Sequence, residues 1–177
     1  MKCIILVGYM CVGKTTIGKA LAKSLGRTFY DLDWYIEERF HKTVPQIFAE
    51  KGEEGFRDLE QRMLREVAEF EGIVLACGGG TPTHGDNMDY MLRTAEVVYL
   101  KADTATIMSH LGMSRSERPL LAGKSPEELR EFVSAQLAER EPHYARAHHT
   151  VHIRLIDGFD KVNEVVQKIK DKLKKQG

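Results

Sequence analysis

The chain has 177 residues with 26 basic and 26 acidic side chains, so its formal net charge is zero. This length favours a single domain over residues 1–177, and a balanced charge without a basic stripe argues against a nucleic-acid or membrane partner. No apolar run approaches the roughly 18–20 residues that span a bilayer. Three cysteines without paired spacing, and no signal peptide, favour a reducing cytoplasm. We therefore expect a cytoplasmic protein, with a monomer as its simplest state.

The first predicted strand, Ile4–Val7, leads into a loop over 8–15 that reads Gly-Tyr-Met-Cys-Val-Gly-Lys-Thr. This is the P-loop spacing, and it stands between a strand and a helical pattern, the context in which such loops bind phosphates. Lys14 would reach the β- and γ-phosphates, and the Thr15 hydroxyl would bind Mg²⁺. An ordinary turn that only starts a helix does not account for the full spacing. The predicted nucleotide-binding residues are Cys11, Val12, Gly13, Lys14, Thr15 and Thr16.

Short β-like runs alternate with helical patterns along the chain. The predicted strands are Ile4–Val7, Thr28–Tyr30, Ile73–Ala76, Val97–Leu100 and Val151–Ile153. Strands separated by helices predict βαβ units, and so a parallel sheet covered on both faces. Three helical stripes are predicted to face the core: Ile17, Ala20, Leu21 and Leu25, ended by Gly26; Phe56, Leu59, Met63, Val67 and Phe70, in a helical segment over Glu53–Phe70; and Phe159, Val162, Val166, Ile169 and Leu173.

Two carboxylates follow the second predicted strand. Asp31 and Asp33 would emerge at the carboxyl edge of the sheet, beside the P-loop, where open α/β sheets bind ligands. Residues two apart in an extended stretch point to the same side. One carboxylate could then hold Mg²⁺ through water while the other accepts a proton from an attacking hydroxyl. The structural alternative is an acidic N-cap for a helix over Trp34–Phe40, and Asp33 could serve both purposes.

Arginines and glycines further along the chain indicate an acceptor site. Arg57 has Glu60 three residues on, which either fixes the guanidinium or forms an ordinary exposed ion pair worth under about 1 kcal/mol. Gly78-Gly79-Gly80 ends the third strand, where glycines let a ligand approach the backbone. Arg140 follows a helical stretch over Pro126–Glu139. Two converging arginines would recognise a planar anion such as a carboxylate.

The stretch 112–125 breaks the alternation of strands and helices. Its part Gly112–Gly123 is bounded by glycines, polar in its middle and without clean periodicity. It is either a surface loop or a mobile lid that closes over nucleotide and carries arginines with it. We favour the lid, because a P-loop kinase must exclude water from the γ-phosphate.

These segments, in this order and at these spacings, resemble the shikimate kinase family. The matching residues are Gly8-x4-Gly13-Lys14-Thr15-Thr16, Asp31-x-Asp33-x-x-Ile36-Glu37, Phe56-Arg57-x-x-Glu60, Gly78-Gly79-Gly80, Arg118-Pro119-Leu120-Leu121 and Arg140-x-x-x-Tyr144. They cover nearly the whole chain, from Ile5 to Tyr144. Many NTPases share the P-loop, whereas the combination of the other motifs is highly specific.

The resemblance implies a P-loop fold of the nucleoside-monophosphate-kinase-like kind, with a five-stranded parallel sheet flanked by helices. It implies transfer of the ATP γ-phosphate to the 3-hydroxyl of shikimate, on the route to chorismate and aromatic amino acids. Lys14 would stabilise the transferring phosphate, and Thr15 would bind Mg²⁺ with water-mediated support from Asp31. Asp33 would orient and activate the acceptor hydroxyl.

The resemblance also implies a set of substrate contacts. The expected shikimate-binding residues are Asp33, Arg57, Gly78, Gly79, Gly80 and Arg140. Arg118 of the lid would close on the phosphates, as both a catalytic and a nucleotide-binding residue. The family often has an adenine-contacting arginine near the fifth strand, and Arg154 matches it only approximately, so that role is left unassigned.

Cys11 departs from the family pattern, which usually has glycine at this position. It would lie close to Lys14 and to the positive end of the following helix, a setting that favours a reactive thiolate. Cys3 and Cys77 fall in apolar runs and are expected to be buried and inert. We therefore expect thiol reagents to act chiefly on Cys11, with a sulfur turned into the protein as the alternative.

Two rival functions make different demands on the sequence. A gluconate-kinase-like enzyme would not need two carboxylate-binding arginines together with an Arg-Pro-Leu-Leu lid. A GTP-dependent switch would need the strings N-K-x-D and D-x-x-G, and the sequence contains neither.

Overall fold

The computed structural model describes residues 2–114 and 122–174. Within them the strands are β1 (Cys3–Val7), β2 (Thr28–Asp31), β3 (Ile73–Ala76), β4 (Ala95–Lys101) and β5 (His149–His152). The helices are α1 (Lys14–Leu25), α2 (Leu32–Phe40), α3 (Val44–Ala68), α4 (Asn87–Thr94), α5 (Thr104–Met113), α6 (Pro126–Tyr144) and α7 (Phe159–Lys174), with a 3₁₀ turn at Thr81–Thr83. All five predicted strands are confirmed, with ends shifted by one or two residues.

The strands form one parallel sheet in the order β2-β3-β1-β4-β5. β1 lies at the centre with all five residues buried. Ile5 belongs to the apolar core on one face of the sheet, while Ile4 and Leu6 belong to the core on the other, as strand alternation requires. Because all the strands point the same way, the segments that follow them meet at one edge of the sheet.

The predicted helix after the P-loop is confirmed, and so is the helix that begins at residue 53. α1 ends at Gly26, which has the left-handed conformation of a C-cap, with φ 64°. α3 contains an earlier segment as well, because Gly52 takes φ 71° and kinks the chain within it. That positive φ is accessible to glycine at little cost. Residue 53 therefore starts the second half of α3 rather than a separate helix.

One of the core stripes includes a residue that is not in the core. Phe159, the first residue of α7, is 87% exposed, so its assignment to the core stripe was wrong. Helical periodicity gave it the same face as the buried Val162, but no described element covers the end of α7. Phe159 instead lines a largely apolar depression with Thr15, Thr16 and Lys19.

Two helix ends differ from those predicted, and both differences bear on the site. α2 begins at Leu32 rather than Trp34. α6 continues through Pro142 to Tyr144, because the hydrogen-bond ladder resumes with Ala145 N–H donating to the Glu141 carbonyl at 2.9 Å. Arg140 therefore lies inside α6 and not after it.

The predicted lid over 112–125 overlaps the end of α5 and reaches the N-cap of α6. It begins inside α5, which ends at Met113, and finishes at Ser125, whose side chain caps α6. Arg118 and its Pro-Leu-Leu neighbours lie outside the described residues, so the role of Arg118 stays a prediction. Across 2–114 and 122–174, none of the helices combines the length and the apolar character needed to cross a membrane.

Candidate active site

The loop between β1 and α1 curls around the side chain of Lys14. The Nζ atom donates to the carbonyls of Gly8 and Tyr9 at 2.7 and 2.8 Å. Gly8 has φ 146°, and a Cβ there would lie 2.6 Å from the Leu100 carbonyl oxygen, so this position excludes a side chain. Desolvation by burial lowers the pKa of Lys14 to about 8, although Asp33 opposes the shift. The loop has the conformation and the charge of a phosphate-binding loop.

Cys11 occupies a strained position in this loop. Its φ is 59°, and it is the third residue of a turn in which Val12 N–H donates to the Tyr9 carbonyl at 3.3 Å. A turn with positive φ at its third position favours glycine, which gives a physical reason for the glycine expected there. The left-handed conformation costs a residue with a side chain about 1–2 kcal/mol. His110 Nδ1 lies 2.8 Å from the Cys11 carbonyl oxygen.

Asp31, the last residue of β2, and Asp33, in the first turn of α2, both line the cavity beside the P-loop, but they make different contacts. Asp31 Oδ2 accepts from Thr15 Oγ1 at 2.9 Å, and Oδ1 accepts from the backbone N–H groups of Asp33 and Trp34. Asp31 is therefore the N-cap of α2, and the assignment of that role to Asp33 was wrong. Since α2 begins at Leu32, the two carboxylates do not share an extended stretch. They face one cavity because of the strand-to-helix junction.

The carboxylate of Asp33 makes fewer contacts than that of Asp31, and its pKa is raised. Burial, together with the negative charges of Glu60 and Asp31, raises its pKa to about 6 against the opposing attraction of Lys14. Oδ1 lies 3.8 Å from the position of a Cβ built on Gly78. A carboxylate that titrates near neutral pH at a cavity wall is suited to general base chemistry.

Arg57 is held by a buried carboxylate. Its Nη1 donates to Glu60 Oε1 at 2.8 Å, and the other Glu60 oxygen accepts from Thr81 Oγ1 at 2.8 Å. Glu60 is only 1% exposed, so the interpretation as an ordinary exposed ion pair was wrong. Arg57 packs against Gly80, where a Cβ would come within 2.5 Å of Nη2. The guanidinium is thus fixed against the loop that follows β3.

Arg140 reaches the same loop from α6. Its Nη1 lies 3.0 Å from the position of a Cβ built on Gly79, and its guanidinium carbon lies 5.6 Å from the centre of the Tyr9 ring. Tyr144 donates its hydroxyl to the Gly79 carbonyl at 2.5 Å. Tyr9 donates its hydroxyl to Gln136 Oε1 at 2.7 Å. These contacts tie α6 to both loops and place Arg140 between them.

Two cavities meet at the glycine-rich loop. The first, of about 360 Å³, is lined by the predicted residues Cys11, Gly13, Lys14, Thr15, Thr16, Asp31, Asp33, Gly78 and Gly79. The second, of about 630 Å³, is lined by both predicted arginines, Arg57 and Arg140, together with His84 and Gln136. Gly79 lines the first cavity and contacts Arg140, which lines the second, so the two cavities adjoin. Two further predicted residues are placed differently. The side chain of the P-loop residue Val12 is fully buried, and Gly80 packs against Arg57.

Three residues that shape the site were missed in the sequence. Tyr9 and Gln136 are joined by a hydrogen bond although they are 127 positions apart, and His110 contacts Cys11 across 99 positions. No spacing pattern links residues so distant. Of the three, only Tyr9 carried a local signal, because it is an aromatic residue within the P-loop.

The fold and the site together define a P-loop kinase of the nucleoside-monophosphate-kinase-like class. The family model described as shikimate kinase matches residues 10–174. The chain belongs to the shikimate kinase family, and it is an ATP-dependent phosphotransferase.

Known proteins with the same organisation are similar over nearly their whole length. A shikimate kinase from Phocaeicola vulgatus is 47% identical over 172 residues, which are 97% of this chain and 98% of that protein. A crystal structure of shikimate kinase from Bacteroides thetaiotaomicron superposes with a TM-score of 0.94 at 44% identity, covering 98% of both chains. Shikimate kinase from Acinetobacter baumannii, solved in complex with shikimate, gives a TM-score of 0.84 at 34% identity, covering 99% of this chain and 94% of the other.

Proposed function

We propose that this chain transfers the γ-phosphate of ATP to the 3-hydroxyl of shikimate, releasing ADP and shikimate 3-phosphate. These site assignments are supported by two neighbouring cavities that are lined by different kinds of side chain. Lys14 and Asp33 line the cavity at the P-loop, while Arg57 and Arg140 line the cavity next to it. A nucleotide in the first and an anionic alcohol in the second would meet at Gly79.

The roles follow from charge and position. The acceptor hydroxyl oxygen attacks the γ-phosphorus while its proton passes to the Asp33 carboxylate. The bond from the γ-phosphorus to the β–γ bridging oxygen breaks, and ADP leaves with the electron pair. Lys14 leaves its contacts with the Gly8 and Tyr9 carbonyls and offsets the negative charge on the transferring phosphate.

The residues fit a Mg²⁺ site shared with the nucleotide. Thr15 Oγ1 and Asp31 Oδ2 are 2.9 Å apart at the cavity wall, and oxygen donors of this kind suit Mg²⁺. In the described part of the chain, no group of three His, Cys, Asp or Glu residues is placed to hold a metal without further ligands. Thr15 would bind the ion directly and Asp31 through water, with ATP phosphates completing the shell. The bound ion would neutralise charge on the phosphates.

The acceptor cavity supports recognition of a carboxylate. Arg57 is oriented by buried Glu60, and Arg140 is supported by the ring of Tyr9. Fixed guanidinium forks bind carboxylates in bidentate geometry and lose little side-chain freedom in doing so. The loop after β3 lies against both arginines, with Gly79 next to Arg140 and Gly80 next to Arg57, and its glycines allow close approach of a compact ring.

The direct test offers ATP-Mg²⁺ with shikimate, quinate, gluconate or a nucleoside monophosphate, and measures ADP release. Of these four acceptors, we expect only shikimate to give rapid ADP release. Equal or faster release with gluconate or a nucleoside monophosphate would contradict the proposed acceptor.

The arginines should control the affinity for shikimate. Arg57→Ala and Arg140→Ala are each expected to raise KM for shikimate by about 10- to 100-fold, because each removes charged hydrogen bonds to a carboxylate. KM for ATP should stay within about twofold of the original value. Lysine at either position should restore little, since it offers a point charge in place of a planar fork. Steady-state kinetics with each substrate varied in turn measures both constants.

A matched control is Arg65→Ala. Arg65 lies on the same helix as Arg57 and pairs with the exposed Asp86. This substitution should leave both KM values unchanged. Unaltered KM for shikimate in the Arg57 and Arg140 variants would show that the anion binds elsewhere.

The pH dependence should report the ionisation of Asp33. A base must be deprotonated to act, so kcat/KM for shikimate at saturating ATP should fall as the pH drops through about 6. Lys14 must be protonated, and its pKa of about 8 in the free protein should rise when phosphates bind. The alkaline limb should therefore lie above pH 8. Rates measured from pH 5 to 9 test this expectation, and an unchanged kcat/KM down to pH 5 would contradict it.

Thiol reagents should label Cys11 before the other two cysteines. Burial raises the pKa of Cys3 to about 12 and that of Cys77 well above its ordinary value, whereas Cys11 is partly exposed and lines the nucleotide cavity. Bound ATP should slow the reaction by covering the loop. Brief alkylation with and without ATP-Mg²⁺, followed by peptide mass mapping, measures the order of labelling.

The control for this reaction is Cys11→Ser, which should keep activity and lose sensitivity to the reagent. Labelling that spares Cys11, or that proceeds equally fast with ATP bound, would contradict the idea.

A further inference from the structure

His110 is a buried histidine at the wall of the P-loop cavity, and its two ring nitrogens have different backbone partners. It lies in the last turn of α5 and is 8% exposed. Its Nδ1 lies 2.8 Å from the carbonyl oxygen of Cys11, in the P-loop. Its Nε2 accepts from the backbone N–H of Ile156, in the segment after β5, at 2.9 Å. The ring therefore bridges two segments that are 145 positions apart in the sequence.

The two partners assign the proton on the ring. A backbone N–H can only donate, so Nε2 must be unprotonated to accept from Ile156. A carbonyl oxygen can only accept, so Nδ1 must carry the hydrogen that bonds to Cys11. The neutral ring with its proton on Nδ1 satisfies both contacts. A doubly protonated ring would set one N–H against another at Ile156.

The contact with Cys11 acts on the strained part of the P-loop. Cys11 holds φ 59° without the freedom of glycine. Because a peptide unit is planar, fixing the Cys11 carbonyl also fixes the direction of the Val12 N–H on the same unit. That N–H closes the turn onto the Tyr9 carbonyl. The bond from His110 thus holds the turn in the conformation that the phosphates require.

The contact with Ile156 acts on the segment that follows β5. Ile153 N–H donates to the Lys101 carbonyl at 2.7 Å, which anchors the start of this segment to the sheet. Further along, Ile156 Cδ1 lies 3.2 Å from the position of a Cβ built on Gly13, so its side chain packs on the residue before α1. His110 holds the Ile156 backbone in place for that contact.

We propose that His110 is a positioning residue of the nucleotide site, which braces the phosphate loop at Cys11 against the segment at Ile156. The proposal rests on the proposed function, since it assumes a nucleotide in the P-loop. It explains how the chain uses cysteine at a position whose backbone conformation favours glycine. His110 would act through Cys11 and Ile156 and not on the reacting atoms.

The first test measures the dissociation constant of ADP by calorimetry, without shikimate. His110→Ala should weaken ADP binding about tenfold, because a partly buried carbonyl and a partly buried N–H lose their partner. KM for shikimate should stay within about twofold, since the acceptor cavity keeps its contacts. His110→Asn can place an N–H near the original Nδ1 position, so it should bind ADP more tightly than His110→Ala or His110→Gln.

The second test is a double-mutant cycle with Cys11→Gly. Glycine adopts positive φ without support, so the loss of ADP affinity caused by His110→Ala should shrink to about threefold or less in the Cys11→Gly protein. A merely structural role for His110 would give the same loss in both proteins. The cycle therefore separates bracing of the loop from general stability.

The matched control is His41→Asn, the same chemical change at an exposed position after α2. It should leave ADP affinity and both KM values unaltered. ADP affinity within twofold of the original in His110→Ala, or an equal loss in both arms of the cycle, would overturn the proposal. If the alanine variant does not fold, the comparison of the Asn and Gln variants decides, and equal or weaker binding by His110→Asn overturns it. Absence of shikimate-dependent ADP release in the unaltered chain would instead contradict the proposed function.

Discussion

Lys14→Ala should lower kcat by about 10³-fold or more. Lys14 is the ammonium group that the P-loop surrounds, and its Nζ lies within 2.8 Å of two loop carbonyls. During transfer it would offset charge that develops on the phosphate, so its removal raises the barrier more than it weakens ATP binding. Steady-state ADP release with saturating ATP-Mg²⁺ and shikimate measures the loss.

Lys19→Ala is the matched control for this variant. Lys19 lies on the same helix, is exposed, and has its ammonium group 4.6 Å from the centre of the Trp34 ring. Its removal should leave kcat unchanged, and circular dichroism should show the same fold in both variants. A Lys14→Ala protein that keeps most of its kcat would refute the P-loop assignment.

Asp33→Asn should lower kcat by about 10²- to 10⁴-fold while KM for ATP changes by less than about threefold. The amide keeps the shape of the side chain but cannot take the proton of the acceptor hydroxyl. Asp33 is suited to that role by its raised pKa of about 6 and its place on the wall of the P-loop cavity. Full kinetics in both substrates separates the effect on kcat from the effect on binding.

The control for this substitution is Asp160→Asn, an exposed carboxylate in the first turn of α7. It should leave all the kinetic constants unchanged. If Asp33→Asn weakened ATP binding as strongly as it lowered kcat, Asp33 would belong with Asp31 in the metal site and not in acceptor activation.

The sheet and the P-loop could be predicted because their signals are local. The strands β1, β3 and β4 are short runs of mainly apolar residues that are largely buried, so the run itself identifies the strand. The P-loop depends on glycines and a lysine within eight positions, where the backbone path follows from the residues themselves. Parallel topology then places Asp31 and Gly78-Gly79-Gly80 at the same edge of the sheet, and the structure confirms that arrangement.

The burial of individual side chains could not be predicted, because it depends on which helix or loop packs over them. Phe159 continues the apolar stripe of α7, yet it is exposed, because periodicity defines a face and not its neighbour. The spacing of Arg57 and Glu60 fits both an exposed and a buried ion pair. The pair is buried because Thr81 and the loop after β3 cover Glu60. A sequence pattern cannot supply that cover.

The amino-acid sequence was sufficient for the class of fold, the phosphate-binding loop and the family, since each depends on residue types at short spacing. Packing between elements determined how α6 brings Arg140 onto Tyr9 and Gly79, and how His110 supports Cys11. These contacts join residues far apart in the chain, and their geometry follows from the way the helices lie on the sheet. Local propensity acts within a few residues, whereas the shape of the site is set by contacts between elements.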